Sequence, residues 1–192
     1  MLSIFMSASI PLPHRHPKYM ETADAAAIRD SIRALVGVVV PGTQIVFGGH
    51  PSVTPIVRLL VRGMTPNLRE HVILYQSLFF KNQLPPEVSD IEEVRFTGAV
   101  DGDRDASLAK MRGVMIGAHN FDAAVFLGGM EGVEIEYDIF RRLHPDKPAY
   151  PIASAGAAAR ILSEKYRPDG LELRLFRVFS GRPEPAGRGR LG

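Results

Sequence analysis

The sequence predicts an α/β protein in which helices cover both faces of a mainly parallel sheet, giving three layers. Short apolar runs alternate with segments of helical periodicity along the chain, and this alternation is typical of βαβ units. Three of the apolar runs also stop at a turn of glycines or other small residues where a helix is expected to begin, within 45–57, 123–140 and 149–162. Such junctions are common in parallel sheets, where a strand leads directly into a helix.

Six strands are expected, each a short run of apolar, β-branched or aromatic residues between turn signals. They are Ser3–Ser9, Gln44–Phe47, His71–Tyr75, Glu93–Thr97, Ala123–Leu127 and Ala149–Ile152.

The expected helices lie between these strands. Apolar residues recur at helical spacing after the first strand, and Pro41-Gly42 is expected to end that helix. Pro55–Met64 is expected to form a short apolar helix, and Asp103 or Asp105 to cap a helix that reaches about Ala118. The residues expected on the buried faces of the first and last of these helices are Ala23, Ala27, Ile28, Ile32, Leu35, Val36, Leu108, Met111, Met115 and Ile116.

The segment Phe79–Ile91 is expected to be the one long irregular connection, because Pro85-Pro86 bars a continuing helix. Phe79 and Phe80 at its start are apolar for a loop. They have three possible roles: to line a ligand site, to face a partner subunit, or to fold under the loop into the core.

Length and composition predict a single domain over residues 1–180. The chain has 192 residues, of which 45% are apolar, enough to build a substantial core. Residues 181–192 are expected to form a flexible basic tail, because their arginines, glycines and prolines cannot bury apolar surface.

The chain contains no cysteine, which excludes disulfides, thiolate metal sites and cysteine nucleophiles and suits a reducing cytoplasm. We therefore expect a cytoplasmic protein. The apolar start of the chain has no basic region and is broken by serines, so it is interpreted as a first strand rather than a signal peptide. No run approaches the roughly 18–20 apolar residues of a membrane span.

A ligand site is expected beyond the carboxyl ends of the strands, where the small-residue turns meet. The first amides of each following helix are unpaired and can bind an anion. A fourth junction, SASIP at 7–11, adds two serine hydroxyls. The alternative for each glycine pair is close helix–strand packing. The expected ligand-binding residues are Ser7, Ser9, Gly48, Gly49, His50, Ser52, Thr54, Gly128, Gly129, Met130, Glu131, Gly132, Val133, Ser154 and Gly156.

The glutamates of GGMEGVEIE have different expected roles. Glu131 is expected to complement the helix dipole, whereas Glu134 or Glu136 would meet a ribose hydroxyl or a water, and spacing alone does not choose between them. His50 either contacts the ligand or bonds to backbone at the helix start. The P-loop pattern is absent and no GxGxxG follows a strand, which argues against ATP hydrolysis and hydride transfer from NAD.

No metal site and no cofactor are expected. His14 and His16 stand two residues apart without a nearby carboxylate, and such a pair is poor evidence for a metal ligand set.

Taken together, SASIP, FGGHPSVTPIV and GGMEGVEIEYDIF resemble the SLOG superfamily over about Leu2 to Tyr166. This superfamily of Rossmann-like nucleotide-binding domains includes the LOG phosphoribohydrolases, the DprA/Smf DNA-processing proteins and sensor domains beside TIR and Sir2 effectors. The stand-alone or effector-associated type is more similar than the true LOG enzymes. The resemblance implies a Rossmann-like fold, binding of a nucleotide-type molecule, and a dimer or larger homo-oligomer.

The LOG signature PGGxGTxxE is only half kept. Leu127 replaces the proline, and with a one-residue insertion Gly132 takes the third glycine position and Glu136 that of the catalytic glutamate. Arg112 lies where those enzymes have an arginine, and Gly113 replaces the following lysine. If the protein is an enzyme, the resemblance implies that Glu136 or Glu134 acts with Arg112 in catalysis.

Three functions follow as expectations. The first is a sensor that binds a nucleotide or NAD-derived molecule and reports it, in a bacterial defence or signalling system, to a separate effector protein. The alternative is an N-glycosidase that releases the base from nucleoside 5′-monophosphates. Single-stranded DNA binding is the least expected, because the near-neutral body lacks a basic stripe with aromatic residues. No membrane partner is expected.

Overall fold

In the computed structural model the described residues are 1–13, 16–37, 43–84, 88 and 91–166. They contain six strands: β1 (Leu2–Ser9), β2 (Thr43–Gly48), β3 (Val72–Ser77), β4 (Glu93–Thr97), β5 (Ala123–Gly128) and β6 (Ala149–Pro151). All neighbouring strands pair in parallel, in the order β4-β3-β2-β1-β5-β6. The expected parallel sheet is thus confirmed.

The helices are α1 (Pro17–Met20), α2 (Ala25–Gly37), α3 (Thr54–Arg62), α4 (Pro66–Arg69), α5 (Arg104–Gly117), α6 (Glu131–Leu143) and α7 (Ala157–Tyr166). Two 3₁₀ helices, Leu78–Gln83 and Ala153–Ala155, follow β3 and β6. No helix among the described residues is both long and apolar enough to cross a membrane.

Strand order reverses at β1, which lies in the middle of the sheet between β2 and β5. In the register, Phe5 pairs with Val46 on one side and with Ala124 on the other. The connections that leave β1 and β5 therefore run to opposite faces and open a crevice beyond their carboxyl ends, which is the usual ligand position in open parallel sheets.

Each face of the sheet has its own apolar core. On one face the core includes Met111 and Met115 of α5, Phe140 of α6 and Leu162 of α7. On the other, α2 and α3 bury Ile28, Ile32, Val57 and Val61 against the strands. The three-layer arrangement follows from these two cores, because each helix buries its apolar stripe on the sheet.

Several expected boundaries need correction. His71 and Ile152 lie outside the strands, and the short apolar helix ends at Arg62 instead of Met64. On α5 the N-cap is Asp103, whose carboxylate accepts hydrogen bonds from the amides of Asp105 and Ala106. Leu108 is only half-buried, whereas Ser107 is buried.

The connection after β3 is not irregular at its start, because Leu78–Gln83 forms a 3₁₀ helix. Ser77 caps this helix: its hydroxyl oxygen accepts a hydrogen bond from the Phe79 amide. Phe79 and Phe80 are half-buried and lie outside both apolar cores. Some expected features lie outside the described residues. They are the breaks at Pro41-Gly42 and Pro85-Pro86, the residues His14 and Arg15, and the tail 181–192.

Candidate functional site

A cleft of about 340 Å³ opens at the carboxyl ends of β1, β2 and β3, facing the start of α6. This size is at the lower end of the range for small-molecule sites. The lining residues are Met6, Ala8, Ser9, Gly48, Gly49, His50, Pro51, Gln76, Phe80, Gln83, Leu84, Arg104, Leu108, Met111, Arg112, Met130, Glu131, Gly132, Val133 and Glu136.

Three of the four expected junctions border this cleft. Of the expected site residues, the lining includes Ser9, Gly48, Gly49, His50, Met130, Glu131, Gly132, Val133, Arg112 and Glu136. The expected residues that do not line it are Ser7, Ser52, Thr54, Gly128, Gly129, Glu134, Ser154 and Gly156. The junctions after β1, β2 and β5 therefore meet at one place, and the junction after β6 does not.

Two carboxylates line the cleft, those of Glu131, which is exposed, and Glu136, which is largely buried. Ser7 donates its hydroxyl hydrogen bond to Glu136 Oε2 at 2.6 Å, and Arg112 Nε lies 3.2 Å from Glu136 Oε1. The Glu136 and Arg112 side chains are only 13% and 15% exposed. Burial raises the pKa of Glu136 above its ordinary value of 4.5, against the opposing effects of Arg112 and Ser7. Ser7, expected to contact a ligand, instead orients this carboxylate.

Arg112 also lies against the first turn of α6. A Cβ on Gly132 would come within 2.9 Å of Arg112 Nη2, so the glycine at this position lets the guanidinium approach the helix start. Met130 is the N-cap of helix α6 and makes no side-chain capping bond, so the first amides of the helix depend on other acceptors. The Val133 and Glu134 amides bond to Met130 O. The Gly132 amide and Arg112 thus stand together as donors at this end of the cleft.

Glu134 lies on the other side of α6, because two residues of helix rotate a side chain by about 200°. Its Oε2 accepts a hydrogen bond from Tyr19 OH at 2.5 Å and lies 3.3 Å from Lys18 Nζ. Burial, together with the bond to Glu134, raises the pKa of Tyr19 to about 12. Glu134 therefore tethers α1 to α6, and of the two candidate carboxylates only Glu136 is on the cleft wall.

The turn after β2 does not present the free amides expected there. Gly49 N–H donates to Tyr75 O at 2.8 Å, and His50 N–H donates to Thr54 Oγ1 at 3.2 Å. Thr54 is fully buried, and Ser52 Oγ accepts a hydrogen bond from the Ile10 amide at 3.0 Å. These residues fix the turn instead of offering donors to a ligand.

The His50 ring is a cleft residue with a defined tautomer. The Ser52 amide donates to His50 Nδ1 at 3.2 Å, so Nδ1 is an acceptor and the proton of the neutral ring is on Nε2. Burial lowers the pKa of His50 below its ordinary value of 6.5. The ring thus bonds to backbone at the helix start, which is one of the two expected roles. It also lines the cleft, and the other role, contact with a ligand, stays a prediction.

The glycine pair after β5 has a packing role. Gly128 and Gly129 have φ of 59° and 85°, which favour glycine. Gly129 N–H donates to Ser9 O at 2.8 Å, and a Cβ on Gly128 or Gly129 would overlap Ile28 or Val133, respectively. The Gly129 amide is therefore occupied and neither glycine lines the cleft, so the expectation that these two amides bind a ligand anion stays a prediction.

The junction after β6 is directed elsewhere. Ser154 is exposed, and a Cβ on Gly156 would overlap the backbone of Thr22. The next amide, of Ala157, donates to Thr22 Oγ1 at 2.9 Å. This junction contacts the segment before α2, and Ser154 and Gly156 do not line the cleft, so their expected place in a ligand site stays a prediction.

Nearly half of the cleft wall was not predicted from the sequence. The residues missed are Met6, Ala8, Pro51, Gln76, Gln83, Leu84, Arg104, Leu108 and Met111. Phe80, for which lining a ligand site was one of three alternatives, does lie in the cleft wall. The polar end of β3 was a usable signal, because Gln76 interrupts an otherwise apolar strand at its carboxyl end.

Within the described part of the chain, no group of three or more His, Asp or Glu side chains is arranged to hold a metal ion.

Fold and cleft together define a parallel α/β domain of the Rossmann-like class, with its pocket where the strand order reverses. The chain belongs to the SLOG cluster3 family, whose model matches residues 18–177, and the resemblance to the SLOG superfamily is confirmed. The X-ray structure of TM1055, a structural genomics target, is similar with a TM-score of 0.53 and 19% identity, covering 85% of this chain and 81% of that chain. This likeness supports the fold alone. Among proteins with curated descriptions, none matches the sequence.

Proposed function

We propose that the protein binds a nucleotide or an NAD-derived small molecule in this cleft, as a sensor that reports the ligand to a separate effector protein in a bacterial defence or signalling system. The supporting observation is the convergence of the β1, β2 and β5 junctions on a single pocket of about 340 Å³. Membership of a SLOG family adds to this support.

The α6 end of the cleft suits the anionic part of such a ligand. Arg112 retains guanidinium N–H groups beyond the one that contacts Glu136, and the positive end of the α6 dipole favours a phosphate there. Arg104, at the start of α5, adds a second cation to the lining. The charges of Arg104 and Arg112 balance those of Glu131 and Glu136, which also line the cleft. Glu136 is already paired with Arg112, and the helix start adds further positive potential.

Calorimetric titration with ADP-ribose, cyclic ADP-ribose, NAD and AMP tests the proposal. We expect saturable heat with at least one of them, and an affinity at least tenfold lower for Arg112→Gln, since a charge-assisted hydrogen bond contributes about 1.5–3 kcal/mol. Arg33→Gln is the matched control, because Arg33 is an exposed α2 residue paired with Asp30. No binding by wild type at millimolar concentration contradicts the proposal.

Hydrolysis of nucleoside 5′-monophosphates to base and ribose 5-phosphate is the second candidate, favoured by the buried Arg112–Glu136 pair on the cleft wall. A carboxyl group with a raised pKa can hold or accept a proton near the glycosidic bond. Incubation with a panel of monophosphates and detection of free base tests it. Activity lost in Glu136→Gln and kept in Glu134→Gln supports this candidate, and no base release from any monophosphate contradicts it.

Association into a dimer or larger homo-oligomer also remains a proposal. On α6 the side chains of Ile135 and Leu143 are exposed, eight residues apart along the helix and about 80° apart around its axis. Light scattering of the full chain would give the oligomeric state. A monomer at all concentrations contradicts this proposal without affecting ligand binding.

A further inference from the structure

Gln76, in β3, is a buried polar side chain that has no hydrogen-bond partner among the described residues. The residue is only 5% exposed and lines the cleft. Within the described residues its carboxamide makes no hydrogen bond. The side-chain atoms that are both fully enclosed and without a partner belong to Ser3, His71 and Thr97, and the Gln76 carboxamide is not one of them. The carboxamide therefore faces only the space in the cleft. Solvent reaches the carboxamide in the cleft, and a ligand that pairs with it gains the net free energy of a hydrogen bond.

The chain makes room for this carboxamide. A Cβ on Gly49 would overlap the Gln76 amide group, while the Gly49 amide is occupied by Tyr75 O. The second glycine of the β2 turn therefore serves the placement of Gln76 and not the capture of a phosphate. Any larger residue at position 49 would force the carboxamide out of its position.

An apolar wall stands beside Gln76. The 3₁₀ helix that follows β3 brings Phe80 and Leu84 into the cleft lining, both half-buried. The Phe80 ring packs edge-on against Phe79 with ring centroids 4.9 Å apart, which limits its freedom. An aromatic ring and an aliphatic side chain next to a free carboxamide match a flat heterocycle that carries hydrogen-bonding groups on its edge.

We propose that Gln76 determines base specificity, by pairing its carboxamide with a nucleobase edge that has an amino donor beside a ring-nitrogen acceptor, as adenine does. A glutamine side chain offers one donor and one acceptor in one plane, and this pair fits adenine through N6 and an adjacent ring nitrogen. The phosphate lies at the opposite end of the cleft, at Arg112 and Gly132. This inference rests on the proposed nucleotide binding and adds the residue that selects the base.

The test compares AMP with purine riboside 5′-monophosphate, which lacks only the amino group, and with ribose 5-phosphate, which lacks the base. We expect wild type to bind AMP about 3- to 10-fold more tightly than purine riboside 5′-monophosphate, as one net hydrogen bond implies. In Gln76→Leu this difference should vanish, and ribose 5-phosphate should bind equally to both proteins. Gln44→Leu, a half-exposed β2 glutamine away from the cleft, should keep the wild-type difference.

Three outcomes overturn the inference. If wild type binds AMP and purine riboside 5′-monophosphate equally, the protein does not recognise the amino group. This comparison uses wild type alone, so it does not depend on the folding of a variant. An equal loss of ribose 5-phosphate and AMP binding in Gln76→Leu shows that Gln76 contacts the sugar phosphate. Absence of AMP binding also overturns it, and the wider titration with ADP-ribose and NAD then decides separately whether nucleotide binding itself fails.

Discussion

At the scale of single residues, Glu136 gives the protein a defined pH dependence. Its pKa in the folded state is raised by burial above the 4.5 expected in the unfolded chain, so the folded protein holds this proton more strongly. The resulting stabilisation is complete below pH 4.5 and is lost as the pH rises through the higher pKa that Glu136 has in the folded state. We therefore expect the free energy of unfolding of wild type, relative to Glu136→Gln, to fall as the pH rises above 4.5.

Urea unfolding of both proteins at a series of pH values measures this difference. Glu164→Gln is the control, because Glu164 is exposed on α7 and paired only with Arg160, and its difference from wild type should change little over the same range. A relative stability that rises with pH would mean that Arg112 and Ser7 outweigh burial and hold the Glu136 pKa below its ordinary value.

The role of a residue was predictable from the sequence only where a motif, or the position of the residue around a helix, determines that role. The GGMEGVEIE pattern indicated the helix start and two carboxylates, but the choice of Glu136 over Glu134 needed the position of Tyr19, which is far away in the sequence. Gln76 belongs to no motif. Its importance arises from burial without a partner, which is a property of the folded molecule.

At the scale of elements, the turn from β5 to α6 should be sensitive to a single methyl group at Gly128. This glycine has φ of 59°, and an added Cβ would overlap Ile28 of α2. We expect Gly128→Ala to lower the free energy of unfolding by about 2–4 kcal/mol, from the left-handed backbone and from overpacking together. Chemical denaturation measures the loss.

Gly48→Ala is the matched control for that substitution. An added Cβ at Gly48 would meet the methyl groups of Met111 and Met115 at 3.5 Å, an ordinary contact, so the stability should stay within about 1 kcal/mol of wild type. Equal losses in the two variants would contradict the packing role assigned to the β5 turn.

The strands were predictable to within one or two residues because alternation of apolar runs with turn signals suffices to locate them. The function of the junctions was not, since the free amides expected at the β2 and β5 turns are satisfied by Tyr75, Thr54 and Ser9. Local sequence shows that a turn contains glycine, but whether the glycine accommodates a ligand or a neighbouring side chain depends on what packs above it. Of the junctions that border the cleft, the first turn of α6 is the one where we still expect an amide, that of Gly132, to bind an anion, and this stays a prediction.

At the scale of the whole molecule, strand order determines which junctions can meet. Because β1 lies between β2 and β5, the ends of these three strands border one crevice, while β6 at the edge of the sheet sends its turn toward Thr22. The sequence predicted the set of strands but not their order. The four-junction site therefore becomes a three-junction site supplemented by the end of β3.

The charge of the chain leads to a final prediction about residues 181–192. Their three arginines and one glutamate account for the whole formal net charge of +2, and the described core residues lie between Phe5 and Leu162. Deletion of 181–192 should leave the unfolding midpoint and nucleotide affinity unchanged, and should abolish any salt-dependent binding to single-stranded DNA. Deletion of 157–192 is the control: it removes α7 with Leu162 and should destabilise the fold. A lower unfolding midpoint after the short deletion would mean that the domain extends beyond residue 180.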